Sequence, residues 1–212
     1  NTMKIKKIKI FELSELSEEA KKTAIESLRG TIEYFYGDDN RKSLQEFENI
    51  FPIKVKNWSY GGDRSDGISF NMECEDHISE LSGFRLAKYI WNNYGHRIYK
   101  GKYYSSRMIS TGRKTPPMFN YKYIHSKCTL EAGANLTGYS ADLYLLDTIF
   151  DFLDKPDSRT FEDLMSESLN QWIKQCTEDV ESTYTDEYIE DHAEANEYEF
   201  LENKYLQFRP KR

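Results

Sequence analysis

Three cysteines, Cys74, Cys128 and Cys176, are too few and too odd in number for a disulfide framework, which leaves reduced thiols or metal ligation as their uses. No apolar run approaches the roughly 18 residues that a membrane span needs, and no signal-peptide core with a cleavage site opens the chain, so a soluble, intracellular protein is expected. GxSxG, a Walker loop, HExxH and the Rossmann glycine fingerprint do not occur, and nothing in the spacing of the four histidines asks for catalysis. Internal repeats and low-complexity linkers are missing as well. Asn1 and Thr2 stand ahead of Met3, which is the expected natural start, with the two preceding residues an addition.

Two further absences are local. Residues 81 to 130 contain ten Lys or Arg and no Asp or Glu, whereas residues 178 to 202 contain eleven Asp or Glu and no Lys or Arg. The formal net charge of -7 hides this sorting. Opposed fields of this kind steer encounters with charged partners, so they point to something polyanionic, something basic, or the protein's own other half. At 38% hydrophobic and 31% charged the chain is polar for a globular protein, but its 15% aromatic content belongs to a chain that folds.

Lys4 to Phe11 alternates Lys with Ile or Phe, the period of a half-buried strand. Ser17 is a helix N-cap with Glu18 and Glu19 in the first turn and Leu16 as a staple, and the apolar stripe Ala20, Ala24, Ile25, Leu28, Ile32 follows. Gly37 to Asn40 reads as a break, with a helix of about ten residues before Pro52. Ile53 to Tyr60 and Ile68 to Glu75 read as a hairpin around a Gly- and Asp-rich loop. A helix carrying Leu81, Phe84, Leu86, Ala87, Ile90, Trp91 and Tyr94 runs from Ser79 to Gly95. Strands follow at about 97 to 111 and 119 to 132, then a helix over 140 to 153. A long helix capped at Asp157 or Ser158 has the seam Phe161, Met165, Leu169, Trp172, Cys176, Val180, which puts Cys176 in the core. Helices and hairpins without regular βαβ units indicate a single α+β domain over 3–206. Its expected form is one antiparallel sheet of about four to six strands packed with about three to five helices, followed by a basic tail at 207–212.

Three constellations carry chemistry. A helix bearing Glu178, Asp179, Glu181, Asp186, Glu187, Glu190, Asp191 and Glu194 repeats negative charge as a nucleic-acid strand does, and so suits a basic groove on a partner; a solvated face has the same composition. Arg97, Lys100, Lys102, Arg107, Arg113, Lys114, Lys122 and Lys127 are interleaved with Tyr99, Tyr103, Tyr104, Phe119, Tyr121 and Tyr123, the ingredients of a single-strand-binding platform, although packing and solvation of a hairpin also alternate Tyr with Lys. Cys74 with His77 and His125 with Cys128 form a CxxH and an HxxC. Together they make a Cys2His2 set suited to tetrahedral, structural zinc, provided a bend lets each pair converge; buried thiols and surface histidines are the alternative. Asp63 and Asp66 in the glycine loop lack the terminal bidentate Glu of an EF-hand and read as a turn.

Phe11 to Lys21 (FELSELSEEAK), Tyr60 to Phe70, and Ala195 to Phe200 (ANEYEF) resemble corresponding segments of a group of small phage and prophage accessory proteins. The loop Gly62-Asp63-Arg64-Ser65-Asp66-Gly67 is longer than the compact Gly-Asp-Gly of that group. The resemblance implies a phage protein that disarms a host defence in the host cytoplasm. Its most concrete form is an anti-CRISPR protein that binds a type II RNA-guided nuclease and blocks nucleic-acid loading through the acidic surface, without enzymatic activity and without a required cofactor. A nucleic-acid-binding regulator or antitoxin-like protein acting through residues 97–127 is the alternative, and a zinc-stabilised interaction module is compatible with either.

Overall fold

The computed structural model describes residues 9–61, 66–103, 108–110, 121–123, 128–201 and 209–210. It mixes helix and strand, as an α+β chain should. The sheets are smaller than expected, because the largest described one has three strands and the other three have two each. Among the described residues seven α-helices stand where three to five are expected. The chain divides into two compact units, each discontinuous in sequence: residues 1–37, 60–66 and 174–212 in the first, and 38–59 and 67–173 in the second. The chain passes between them inside helices and at strand ends, and no linker separates them.

The first unit brings distant segments together. Strand β1 (Ile10–Phe11) pairs antiparallel with β8 (Tyr198–Leu201), Phe11 opposite Phe200, and β8 also pairs with β9 (Arg209–Pro210). Between β1 and helix α1 (Glu18–Arg29) lies a 3-10 turn at Leu13–Glu15. Ser17 caps α1 by accepting from the Ala20 N–H at 3.4 Å, and Glu18 and Glu19 occupy the first turn, as the sequence indicates. Helix α1 ends at Arg29, one turn before the end of its apolar stripe, and Ile32 packs on from the following loop. Helix α7 (Asp186–Ala195) lies against α1, and Leu13, Ala24, Ile25, Leu28, Ile189, Ala193 and Phe200 make one buried cluster. Burial of these side chains, at about 1.5–3 kcal/mol for each large one, is what holds chain ends so far apart in sequence side by side.

In the second unit, Gly37-Asp38-Asp39-Asn40 does not break a helix but begins one: α2 (Gly37–Ile50) has Asp38 and Asp39 in its first turn, where the helix dipole favours them. The expected hairpin is β2 (Ile53–Ser59) with β3 (Gly67–Met72), Val55 opposite Phe70, with a bulge between Val55 and Asn57. After a one-turn helix, α3 (Asp76–Ser79), helix α4 (Gly83–Ile98) runs past Gly95, where the sequence suggests a stop. Gly95 does not turn the chain, and the Trp91 ring packs over it, 3.5 Å from where a Cβ would stand. Strands β4 (Lys100–Tyr103) and β7 (Cys128–Glu131) pair, as do β5 (Met108–Ser110) and β6 (Tyr121–Tyr123). Helix α5 (Ala141–Asp154) packs on α4.

Helix α6 (Phe161–Thr183) begins in the second unit and ends in the first. Its predicted seam is correct: Phe161, Met165, Leu169, Trp172 and Cys176 are fully buried, and Val180 is partly so. The cap is Thr160 rather than Asp157 or Ser158. Its hydroxyl accepts from the Asp163 N–H at 3.1 Å while the Asp163 carboxylate accepts from the Thr160 N–H at 3.0 Å.

Candidate acidic groove

The acidic stretch is not one helix. Helix α6 stops at Thr183 and α7 starts at Asp186, so Glu178, Asp179 and Glu181 stand on one helix and Asp186, Glu187, Glu190, Asp191 and Glu194 on the next. Hydroxyls cause the break. Ser182, Thr183 and Thr185 donate to the carbonyls of Asp179, Val180 and Ser182 at 2.8, 2.7 and 2.9 Å, in competition with backbone donors. Thr185 then caps α7 by accepting from the Tyr188 N–H at 3.3 Å.

Some of these charges are satisfied within the unit. Lys21 donates to Glu190 at 2.9 Å, which also holds the lysine's pKa above its ordinary value, and Arg29 pairs with Asp186 and donates to the Tyr184 carbonyl at 3.1 Å. Glu178 accepts from Gln175 at 2.8 Å and lies 3.8 Å from Lys174. Within the first unit the acidic helix α7 therefore meets cations from α1. Glu187, Asp191 and Glu194 have no cation partner among the described residues.

Glu194 and Glu190 also form part of a groove of ≈ 470 Å³ whose other walls come from β1, the 3-10 turn, Lys21 and the strand β8. Six glutamates line it, Glu12, Glu15, Glu190, Glu194, Glu197 and Glu199, against one lysine. The Glu12 N–H donates to the Glu15 carboxylate at 2.9 Å, which fixes one wall. The opposite wall turns at Glu197, whose φ of 49° is a left-handed conformation costing a non-glycine residue about 1–2 kcal/mol; it swings the chain from α7 into β8. A cleft lined by one sign of charge concentrates counter-ions, and carboxylates there form charge-assisted hydrogen bonds with guanidinium or ammonium groups. The described lining also includes the hydroxyls of Ser14 and Tyr198, and its one lysine, Lys21, is engaged by Glu190.

Sequence reasoning missed Glu12, Glu15 and Lys21, and it counted Glu197 and Glu199 only as part of an acidic window. The available signal was the pair of segments 11–21 and 195–200, which the β1–β8 pairing brings to one groove.

The other candidate residues lie in part outside the described residues. Arg97 donates to the Asn49 carbonyl at 2.9 Å and to Glu46 at 3.4 Å, and Lys100 is exposed at the start of β4. Lys102 and Lys122 lie on β4 and β6, while Arg107, Arg113, Lys114 and Lys127 fall outside the described residues. Of the zinc set, Cys74 is half-buried after β3, which pushes its thiol pKa up, and exposed His77 lies 3.1 Å from Glu75. Cys128 begins β7, and His125 falls outside the described residues. Among the described residues no group of three or more metal-ligating side chains converges. Asp66 accepts from the Gly61 N–H at 3.2 Å, and Asp63 is outside the described residues. No described helix is long and apolar enough to cross a membrane.

Fold and site thus define an α+β chain with a carboxylate-lined groove built from its two ends. No protein-family profile, curated protein or solved structure matches it.

Proposed function

We propose that the chain is a phage-encoded inhibitor of a host defence system that works by binding, not by catalysis, and that its target is a basic surface of a type II RNA-guided nuclease. Supporting this reading is the accumulation of carboxylates on α7 and around the groove, with Glu187, Asp191 and Glu194 lacking cation partners among the described residues. Such nucleases hold their heteroduplex in positively charged channels through its backbone, so carboxylates compete there without reading bases.

Charge spacing refines the mode of binding. Five carboxylates over the ten residues of α7, about 15 Å of helix, make one per roughly 3 Å, close to the 3.4 Å per phosphate of a DNA strand. Lys21 and Arg29 neutralise two, leaving one per roughly 5 Å. That density is too low for a phosphate replica. It fits a surface that receives individual Arg and Lys side chains of the partner, with the groove as the place for at least one of them.

The test is target-DNA cleavage by a purified type II nuclease with the protein added before or after DNA loading. Inhibition is expected only when the protein is added first, weakening with salt. Glu187→Lys, Asp191→Lys and Glu194→Lys combined should abolish it while the far-UV spectrum stays unchanged. Full inhibition by the triple variant would sink the acidic-surface mechanism.

A further inference from the structure

Helix α4 carries a second surface of opposite character. Its buried side, Leu86, Ile90 and Ile98, is fully covered. On the other side Phe84 is 79% exposed and Trp91 47% exposed, and Arg85, Lys88 and Asn92 are exposed beside them. Phe84, Lys88 and Trp91 fall at i, i+4 and i+7, so one stripe reads ring, cation, ring over about 10 Å, with Arg85 alongside. The two cations have no carboxylate partner among the described residues, and α4 contains no acidic residue.

The tryptophan is braced. Its ring covers Gly95, where a Cβ would be 3.5 Å away, and lies 5.5 Å from the Tyr99 ring, which in turn is 5.0 Å from Phe150. One face is therefore fixed by packing while the rest meets solvent. A flat ring already held by packing costs little entropy to use in binding.

We infer that the Phe84–Lys88–Trp91 face of α4 binds single-stranded nucleic acid, with bases stacked on the two rings and phosphates held by Arg85 and Lys88. Charge complementarity selects the occupant: the exposed face of α4 carries Arg85 and Lys88, and the helix has no Asp or Glu, so an anionic partner suits it. Ring faces separated by cations suit alternating bases and phosphates. A membrane-surface helix would instead segregate a broad apolar face from its cations, and the broad apolar face of α4 is already buried in the protein.

The experiment is fluorescence anisotropy of labelled single-stranded DNA and RNA 15-mers with the full chain at low salt. Binding is expected, with Phe84→Ala and Trp91→Ala each weakening it by about 5- to 150-fold, the equivalent of one lost base stack. Arg85→Glu with Lys88→Glu should lower the slope of log K against log salt by about 1.4. Phe84 is so exposed that its variant keeps the fold, which separates lost binding from unfolding. The inference is overturned by absence of binding to both oligonucleotides, by variants that bind as the parent does, or by binding to phosphatidylserine vesicles in place of oligonucleotides. These outcomes are independent of the nuclease assay, which reads the acidic surface.

Discussion

Replacing Asp142 by alanine takes one carboxylate away from four donors. Asp142 is fully buried in the first turn of α5, and its Oδ2 accepts from the N–H groups of Leu136, Thr137 and Gly138 at 3.0, 2.8 and 2.8 Å; Oδ1 accepts from the Thr137 hydroxyl at 2.8 Å. Gly138, at φ 96°, lets the chain curl so that three successive amides converge. The Thr137 hydroxyl is also 3.1 Å from Ser43 on α2, so it retains a partner when the carboxylate is gone. The three amides do not. A donor left unsatisfied costs about 1–3 kcal/mol, and because Thr137 and Gly138 lie where water reaches them the low end applies, for a total of about 3 kcal/mol. For a chain of this size that lowers Tm by about 6–12 °C. Asp142→Asn has the same shape and can turn its amide oxygen toward the three N–H groups. Neutral bonds are roughly half as strong as charge-assisted ones, so about 1.5 kcal/mol, or about 3–6 °C, is expected. Thermal unfolding followed by circular dichroism measures both. If Asp142→Ala melts within about 2 °C of the parent, or if Asn is as damaging as Ala, the convergent carboxylate is not what holds this loop.

Two other perturbations address helix starts. Asp163 is held below the ordinary carboxylate range by the Thr160 N–H and hydroxyl, so its contribution is present above the unfolded value near 3.8 and is lost as the pH falls through the lower folded value. Asp163→Asn should therefore be less stable than the parent in neutral urea titrations, with the gap closing below the ordinary carboxylate range; a gap independent of pH would contradict this. Thr185→Ala removes the cap of α7 and should cost about 1 kcal/mol in the same titration, and a value near zero would mean that packing of Ile189 and Ala193 alone fixes where α7 begins.

Local signals were readable in the sequence, and non-local ones were not. Ser17 with Glu18 and Glu19, the hairpin around Gly67, and the α6 seam from Phe161 to Cys176 depend on neighbours within a turn or a loop, and each stands where its pattern puts it. Phe84 and Trp91 share helical spacing with Leu86 and Ile90 but lie on the far side of the 3.6-residue period, so an aromatic residue alone does not reveal whether it faces in or out. The break at Tyr184 and Thr185 lies in an uncharged, hydroxyl-rich gap, residues 182–185, that a count of the carboxylates on either side passes over. The groove was invisible for a different reason: pairing of Phe11 with Phe200 is encoded in no local pattern, and an acidic window does not announce which of its members will share a cleft with Glu12 and Glu15.

The pairing of α1 with α7 also sets a timetable. Arg29 and Asp186 are 157 residues apart, so at about 5–20 residues per second α1 leaves the ribosome roughly 10–30 s before the helix it must pack against has been made. During that interval Ala24, Ile25 and Leu28 have no native cover, and an isolated twelve-residue helix is marginal in water. The first unit is consequently the last to form, and a chain cut short before α7 would carry that uncovered face for its whole lifetime. Chaperones and proteases would recognise such a fragment by its beginning, although the missing part is its end.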